Sequence, residues 1–446
     1  GVTGVQTCAL PISMAWRRWP VPVMGGTLRA GTWRDASMGN RLLAAILLLL
    51  GGLLSGCGVQ RTNAFADLTD TITVVGELTT KADPVEQARL KALLEKEVRE
   101  FKRLNPSVQV KLRALPTERF EQELQYRTQR GLGPDLMLLS SKRDLLGLQA
   151  KGYISAIELS PQEQADFRPA FLQSLRSRGK QLGVPWLIFS PLACFDRRRL
   201  PNSPKTFAEL IQLAQKGHSF GLNYGPSGLD ELISGFKVSL VPQPQSRLGE
   251  QQRLVRAMQW MREANLQPGI TFLAEEAELR LGLQQGRFDW VPCSSGWLPS
   301  LRQTLGNDLG IAVLPDGPAG PTRPLTRMPT WVFGSQSTAT QRRVAKQFVL
   351  YASNLVNQRN MALSLGTVLP VNPSIALPFK AYPDLAVINA AAQNIDLITM
   401  EQQKFLLTNA DQLSFFADQV IRGVQTPSAT APRFQRLLDA MPKGDL

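Results

Sequence analysis

Apolar residues recur every three or four positions in the segment DPVEQARLKALLEKEVREFKRLNP, residues 83–106. The apolar members of this repeat are Leu90, Leu93, Leu94, Val98 and Phe101. This spacing is typical of an amphipathic helix that packs one face against a core. Asp83 in front of Pro84 marks a helix start, and Asn105 followed by Pro106 marks its end. The pattern therefore predicts one long helix.

Strand-like and helix-like segments alternate around this helix. A buried strand is predicted for TITVVGELT, further strands for VQVKLRAL and DLMLLS, and further helices for TERFEQELQYRTQRG and KRDLLGLQAKG. The alternation starts again after residue 180, with strands in SFGLNYG, RFDWVPCSSGW and LGIAVLPDG. Helices are predicted there for SPKTFAELIQLAQKG, with a start at Ser203-Pro204, and for RLVRAMQWMREANL. Such alternation predicts an α/β protein whose parallel sheets are covered by helices, here in two lobes.

The N-terminal part has a different pattern. Arg41 precedes an unbroken apolar and glycine run from Leu42 to Leu54, which is shorter than the roughly 20 residues that span a bilayer and fits a signal peptide at 38–56. Leu54-Ser55-Gly56-Cys57 resembles the lipobox of bacterial lipoproteins, which implies lipidation of Cys57 and a polar tether at 57–69. Residues 1–37 are interpreted as a translation artefact. VTGVQTCALPIS is encoded by a string that resembles a common sequencing adapter, and residues 14–37, which have no clear period and are rich in Gly, Arg and Trp, are interpreted as translated upstream DNA, with a genuine extension as the alternative.

The charge is positive but dispersed. The chain has 50 lysines and arginines against 36 acidic residues, a formal charge of +14. Basic and acidic residues are interleaved, and the densest run, Arg197-Arg198-Arg199, reads as a solvated strand end. Together with the export signal, this pattern argues against a nucleic-acid partner and favours attraction to an anionic membrane surface.

Histidine and cysteine restrict the chemistry. His218 is the one histidine of the sequence, in a polar KGHSFG turn, which argues against Ser-His-Asp or Cys-His catalysis and against a zinc site. Two carboxylates for glycoside hydrolysis are not convincingly placed either. Outside the leader and the lipobox, Cys194 and Cys293 have two alternatives, a disulfide or two small buried residues. We expect a protein that is not an enzyme and needs no cofactor or metal.

Four ordered segments resemble the extracellular solute-binding proteins of ABC importers, in the family 1 group that includes maltose-binding protein. They are GPDLMLLSSKRDLLGLQAKGYISAIE, GKQLGVPWLIFSPLACFDRRRLPNSPKTFAELI, LQQGRFDWVPCSSGWLPSLRQTLGNDLGIAVLPDGPAG and MALSLGTVLPVNPS. The resemblance implies the type II periplasmic-binding-protein fold, in which each lobe is a doubly wound mixed sheet flanked by helices and a hinge joins the lobes. Lobe 1 would comprise 70–187 plus 316–368, and lobe 2 would comprise 188–315 plus 369–446.

The same resemblance implies a function. The protein would be a monomeric, lipid-anchored binding protein of the cell envelope that captures a small sugar outside the cytoplasm. It would deliver this solute to an ABC permease and its ATPase subunits. Two alternatives stay open at this stage: a sensory or scaffolding role on the same fold, and binding of a phosphorylated polyol or another organic solute.

The implied ligand contacts are partly aromatic, since sugar binders of this family stack the CH-rich faces of sugars on aromatic rings. By position in the motifs, the aromatic candidates are Trp297 in SSGWLPS, Trp331 in RMPTWVFG, Tyr224 in LNYGPSG and Phe415 beside Phe416. Two of these candidates have an alternative. Trp297 would instead be a core tryptophan, and Phe415 would serve only the packing of its helix. The thinned aromatic set argues against an extended glucan.

The polar candidates come from two helix starts. Arg143 and Asp144 in SKRD would bond solute hydroxyls from lobe 1, or would instead cap a helix. Ser295 lies in the turn after the strand RFDWVPC, and ligands of open α/β sheets bind beyond the carboxyl ends of strands. This places Ser295 and the backbone N–H groups beside it near the expected solute.

Overall fold

The computed structural model describes residues 71–78, 84–140, 143–240, 249–326 and 328–443. The predicted leader at 1–37, the signal peptide at 38–56, the lipidation of Cys57 and the tether at 57–69 lie outside these residues.

The strands follow one another along the whole described chain. They are β1 (Thr71–Leu78), β2 (Gln109–Pro116), β3 (Leu136–Leu139), β4 (Ile154–Ser155), β5 (Arg176–Ser177), β6 (Lys180–Gln181), β7 (Val184–Pro185), β8 (Leu187–Ile188), β9 (Pro191–Asp196), β10 (Phe220–Asn223), β11 (Ile270–Leu273), β12 (Trp290–Ser294), β13 (Leu309–Ala312), β14 (Thr330–Gly334) and β15 (Leu369–Pro370).

The α-helices alternate with these strands and dominate the C-terminal part. They are α1 (Pro84–Leu104), α2 (Thr117–Thr128), α3 (Leu145–Ala150), α4 (Pro161–Gln164), α5 (Pro169–Ser174), α6 (Phe207–Gln215), α7 (Pro226–Ser234), α8 (Glu250–Asn265), α9 (Glu276–Gln284), α10 (Leu298–Leu305), α11 (Ala339–Ala352), α12 (Leu355–Leu365), α13 (Pro383–Ala391), α14 (Met400–Thr408), α15 (Ala410–Ile421) and α16 (Pro427–Asp439). Short 3₁₀ turns cover Ser295–Trp297 and Gly306–Asp308.

The first sheet has the strand order β2-β1-β3-β14-β4, and β7 also pairs with β14. β1 is parallel to β2 and β3, as the alternation of strands and helices predicts. β14 is antiparallel to β3, β4 and β7, so the sheet is mixed. The strand that completes this sheet therefore comes from far along the chain.

The second sheet has the strand order β11-β10-β12-β9-β13. β10 is parallel to β11 and β12, whereas β9 runs antiparallel to both β12 and β13. Two small pairs, β15 with β8 and β5 with β6, lie outside the two sheets. The described chain thus contains two separate mixed sheets, each flanked by helices.

Apolar side chains form two clusters. The first contains Phe120 and Trp331 of the first-sheet half and extends to one face of the second sheet through Val291. The second contains Phe220 of β10 and Phe434 of α16 on the opposite face of the second sheet. The predicted helix at the N-terminal end is confirmed as α1, and its Leu93, Leu94, Val98 and Phe101 are buried.

One predicted boundary was wrong. The helix expected to start at Ser203-Pro204 is α6, which begins at Phe207. The Thr206 hydroxyl caps it by accepting from the Glu209 amide at 3.1 Å. Ser203 instead lies ahead of the helix, and its hydroxyl accepts from the Trp290 indole N–H at 2.9 Å. A side-chain contact with a distant strand decides its role.

Candidate functional site

Two passages of the described chain connect the sheets, one between β7 and β9 and one between β13 and β14. We call them the crossing segments. They are bonded to each other, since the Trp186 amide donates to the Pro329 carbonyl at 2.9 Å and the Thr326 hydroxyl donates to the Phe189 carbonyl at 3.2 Å. A hollow lies on either side of these segments.

The hollow on the second-sheet side has a volume of about 450 Å³. Asn223 and Ser294 line it from the last positions of β10 and β12, and Phe189 and Leu325 line it from the crossing segments. Strand ends of parallel sheets leave such crevices because the chain turns away from the sheet there. Trp297, the main aromatic candidate of the sequence, also lines this hollow.

Trp297 combines burial with contact to the hollow. It ends the 3₁₀ turn that follows β12 and directly precedes α10, and 6% of its surface is exposed. Its indole belongs to the first apolar cluster. A small exposed part of a large ring is enough to offer an edge or face to a solute, but most of the ring stabilises the surrounding core.

Ser295 is used within the protein. Its hydroxyl accepts from the Ser190 amide at 3.1 Å, and its own amide donates to the Ser190 carbonyl at 2.9 Å. The Ser294 hydroxyl accepts from the Gly296 amide at 3.3 Å. These bonds join the end of β12 to a crossing segment, so Ser295, with no exposed surface, fixes the wall of the hollow rather than facing it.

A disulfide stabilises the same wall. The sulfurs of Cys194 in β9 and Cys293 in β12 are bonded, with 5.8 Å between the Cα atoms, a distance typical of disulfides. The strands are antiparallel neighbours in which Cys293 faces Leu192 and Cys194 faces Val291. Of the two alternatives that the sequence allowed, the structure has the disulfide, and Cys293 lines the hollow beside it.

The hollow on the first-sheet side has a volume of about 510 Å³. Ser140 follows β3, Thr330 begins the antiparallel β14, and both line it together with Arg143. Asp396 and Gln403 line the opposite side. This hollow therefore lies between the edge of the first sheet and residues from the C-terminal part of the chain.

Arg143 is held by fixed partners. Its guanidinium pairs with Glu77, whose side chain has no exposed surface at the end of β1, and it donates to the Thr117 carbonyl at 3.3 Å. The guanidinium also lies 5.0 Å from the ring centroid of Phe120. A rigid cation at the rim of a hollow is a suitable hydrogen-bond donor for hydroxyl oxygens.

Asp144 caps α3, which was one of its two sequence interpretations. Its carboxylate accepts from the Gly147 amide at 2.8 Å. The Lys404 ammonium lies 3.9 Å from its second carboxylate oxygen.

Three other aromatic candidates lie away from both hollows. Trp331 has no exposed surface, and its ring centroid is 5.5 Å from that of Trp186 in the first cluster, so it is a core residue. Phe415 on α15 is 49% exposed and contacts Phe416. Tyr224 follows Asn223 but bonds to Arg422 and Asp418, and burial raises the pKa of its hydroxyl.

Sequence patterns did not identify the crossing-segment contacts Phe189 and Leu325, or Asn223, whose buried amide donates to the Leu273 and Ala274 carbonyls at 3.1 Å each. Asp396 was missed as well. These side chains have no motif of their own, and only the position of Asn223 at the end of a predicted strand could have indicated its place.

A buried polar cluster adjoins the crossing segment between β13 and β14. Asp396 accepts from the Arg323 guanidinium at 2.8 Å and from the Ser239 hydroxyl at 3.3 Å. Asp230 on α7 is completely buried and accepts from the Leu240 amide at 3.4 Å. Burial, followed by repulsion from Asp396, raises the pKa of Asp230 to about 8, so this carboxyl is neutral near pH 7.

Within the described ranges, no three His, Cys, Asp or Glu side chains are grouped so that they could hold a metal ion. Among the same residues, no helix combines the length and apolar character needed to cross a membrane.

No family model matches the chain. A 177-residue part of it, 40% of the chain, is 27% identical to the maltodextrin-binding protein MdxE of Bacillus subtilis (strain 168), and the match spans 39% of that protein. The GacH receptor of Streptomyces glaucescens, solved unliganded and with acarbose, superposes with a TM-score of 0.66 at 16% identity over 83% of this chain and 100% of that one. A cyclo/maltodextrin-binding protein complexed with maltotetraose gives 0.68 at 15% identity, over 83% of this chain and 96% of that one.

The chain has the two-lobed fold of these solute-binding proteins. This confirms the fold class that the sequence predicted. The exact lobe boundaries, 187/188, 315/316 and 368/369, stay predictions. Within the two-lobed solute-binding fold, the hollows described above lie on either side of the segments that cross between the sheets.

Proposed function

We propose that this protein is the substrate-binding component of an ABC importer and that it binds a small sugar or sugar-like solute in the cleft beside the crossing segments. The proposal depends above all on one observation. Polar side chains at the strand ends of both sheets, Ser140 and Asn223 among them, line hollows on the two sides of the same crossing segments. A binding protein needs such a cleft and no catalytic group.

The chemistry of the hollows favours a neutral, hydroxylated solute. Trp297 supplies an aromatic surface, Arg143 a fixed donor, and Thr326 and Thr330 hydroxyl groups. Aromatic surface combined with a few polar groups is typical of small-ligand sites. The sugar ligands named for MdxE and for the two solved structures also support this class of solute.

A role in import implies a location and partners. The protein would act outside the cytoplasmic membrane, held there by lipid on Cys57, and would present its solute to a permease driven by ATPase subunits. We expect Cys57→Ala to abolish lipid labelling and membrane retention. A mature wild-type N-terminus well upstream of Cys57 would exclude this anchor.

The solute is identified by native mass spectrometry of freshly purified protein, followed by calorimetric titration with glucose, maltose and maltotetraose. Trp297→Ala is the test variant, and we expect a loss of roughly 5- to 150-fold in affinity, the effect of removing an aromatic stacking surface. Phe415→Ala is the matched control, because it removes an exposed aromatic ring that touches neither hollow. The affinity of the Phe415→Ala variant for the sugar should equal that of the wild type.

Thermal melting of both variants separates binding from stability. Truncating a core tryptophan to alanine lowers the free energy of unfolding of a protein by about 3–5 kcal/mol. Unchanged affinity in Trp297→Ala with a much lower Tm would therefore remove Trp297 from the site. A folded wild-type protein that binds no sugar and carries no co-purified solute would contradict the proposed function and favour a sensory or scaffolding role.

A further inference from the structure

Helix α14 is anchored on one side to the second apolar cluster. Leu406 is buried in this cluster and Phe405 packs against it. The buried Gln402 caps its own helix with Thr399 and donates to the Pro442 carbonyl at 3.4 Å. α15 begins two residues after α14 ends and packs against it. α14 thus belongs with the half of the protein that contains the second sheet.

The other side of α14 reaches elements next to the first sheet. The Gln403 amide donates to the Arg143 carbonyl at 3.2 Å, and the Lys404 ammonium lies 3.9 Å from the Asp144 carboxylate. The Ser177 hydroxyl, in β5, donates to the Glu401 carboxylate. α14 also packs against α3 and β5. Three polar contacts from about one turn of α14 therefore join the two halves on this side of the cleft.

The acceptors on the first-sheet side are fixed in place. Arg143 is held by Glu77 and lies over Phe120, and Asp144 is held by its cap bond to Gly147. Because these groups are already ordered, they lose little conformational entropy when α14 contacts them.

The contacts on the two sides of α14 differ in strength. Leu406 has little exposed surface, whereas the side chains of Lys404 and Asp144 are 49% and 34% exposed. Buried apolar side chains resist separation, while exposed ion pairs contribute little and break readily. Met400, at the start of α14, is buried in the first cluster, which extends to the second sheet as well.

We propose that α14 is a clasp, a helix that moves with the second-sheet half and whose polar contacts to α3 and β5 determine how readily the cleft opens. Gln403 also lines the first-sheet hollow, so the clasp forms part of the wall that a bound solute would contact. This inference rests on the proposed cleft but not on the identity of the solute.

The test is amide hydrogen exchange of the protein without added solute. The variant Glu401→Ala/Gln403→Ala/Lys404→Ala removes the three polar contacts and keeps Met400, Phe405 and Leu406. We expect amides in 143–152 and 176–181 to exchange faster by a common factor of roughly 3- to 100-fold, the combined effect of one partly exposed ion pair and two part-buried hydrogen bonds. Amides of α14 itself should keep their wild-type rates, because the helix stays with the second-sheet half.

Leu407→Ala is the matched control, since it truncates an exposed side chain of the same helix and should leave both segments unchanged. Asp144→Asn supplies a second test because asparagine keeps the helix cap and removes the charge. In that background Lys404→Ala should add no further acceleration.

Two results would overturn the clasp. One is wild-type exchange in 143–152 and 176–181 of the triple variant. The other is faster exchange throughout the described chain together with a lower unfolding midpoint, which would mean that the contacts serve general stability. Neither result depends on sugar binding, so failure of the clasp and failure of the proposed function are distinguishable.

Discussion

The disulfide between Cys194 and Cys293 gives the prediction with the clearest magnitude. It closes a loop with a sequence separation of 99 residues, which includes β10, β11 and the helices between them. Cross-linking a loop of about 100 residues lowers the entropy of the unfolded chain by the equivalent of about 4.7 kcal/mol at 25 °C. Both cysteines are buried, so removing the sulfurs also costs some packing.

We therefore expect Cys194→Ala/Cys293→Ala to lose about 3–5 kcal/mol in the free energy of unfolding. Urea unfolding followed by tryptophan fluorescence measures this loss, because Trp290 begins the bonded strand β12 and Trp297 follows its end. Wild-type protein reduced with dithiothreitol is the matched measurement, since it loses the bond and keeps every other atom. The double variant should not respond to the reductant.

The denatured state supplies an independent check. Without the cross-link the unfolded chain expands, so the dependence of the unfolding free energy on urea should become steeper. If oxidised and reduced wild-type protein unfolded at the same urea concentration, or if denatured, oxidised protein had alkylatable thiols at both positions, the reasoning would be refuted.

Two further predictions concern buried polar groups. In the folded protein the pKa of Asp230 is raised to about 8, above its ordinary value. Between about pH 4 and 8 the folded state therefore keeps a proton that the unfolded state has already released. The free energy of unfolding should therefore fall across this window by up to about 1.4 kcal/mol per pH unit because of this group. In urea unfolding at a series of pH values, Asp230→Asn should abolish that part of the fall. An identical pH dependence in the variant would contradict the prediction. Gln358 is completely buried, donates to the Trp186 carbonyl at 2.7 Å and accepts from the Val371 amide at 2.8 Å. Gln358→Ala should lose about 3 kcal/mol or more, because each abandoned backbone group costs about 1–3 kcal/mol, and a loss below 1 kcal/mol in chemical denaturation would show that water replaces the side chain.

Local sequence patterns predicted a helix well where only one of its faces is buried. The spacing of Leu93, Leu94, Val98 and Phe101 predicts α1 because the buried face of a helix repeats with the helical period. The parallel strands β1 and β3 were predicted because each is a short apolar run, and β2 because its apolar and polar residues partly alternate. These signals depend on residues close together in the chain.

Contacts between distant residues could not be predicted in this way. Neither the bond between Cys194 and Cys293 nor the pairing of Ser295 with Ser190 has a local signal, because both depend on which strands become neighbours. Trp331 shows the same limit within the candidate site. Its motif suggested a cleft position, but packing against Trp186 buries it completely. Trp297 and Arg143, by contrast, do line the hollows.

The place of β14 in the first sheet has a consequence for how the protein is made. β14 pairs with β3 on one side and with β4 and β7 on the other, yet it follows every strand of the second sheet in the chain. Until residue 334 has emerged from the ribosome, the edge of β3 has no partner, whereas β9 to β13 are already complete as a set. The second sheet can therefore assemble first, and the N-terminal strands wait with exposed edges that are prone to aggregation. A nascent chain with this strand order benefits from a chaperone that covers β1, β2 and β3 while the rest is synthesised.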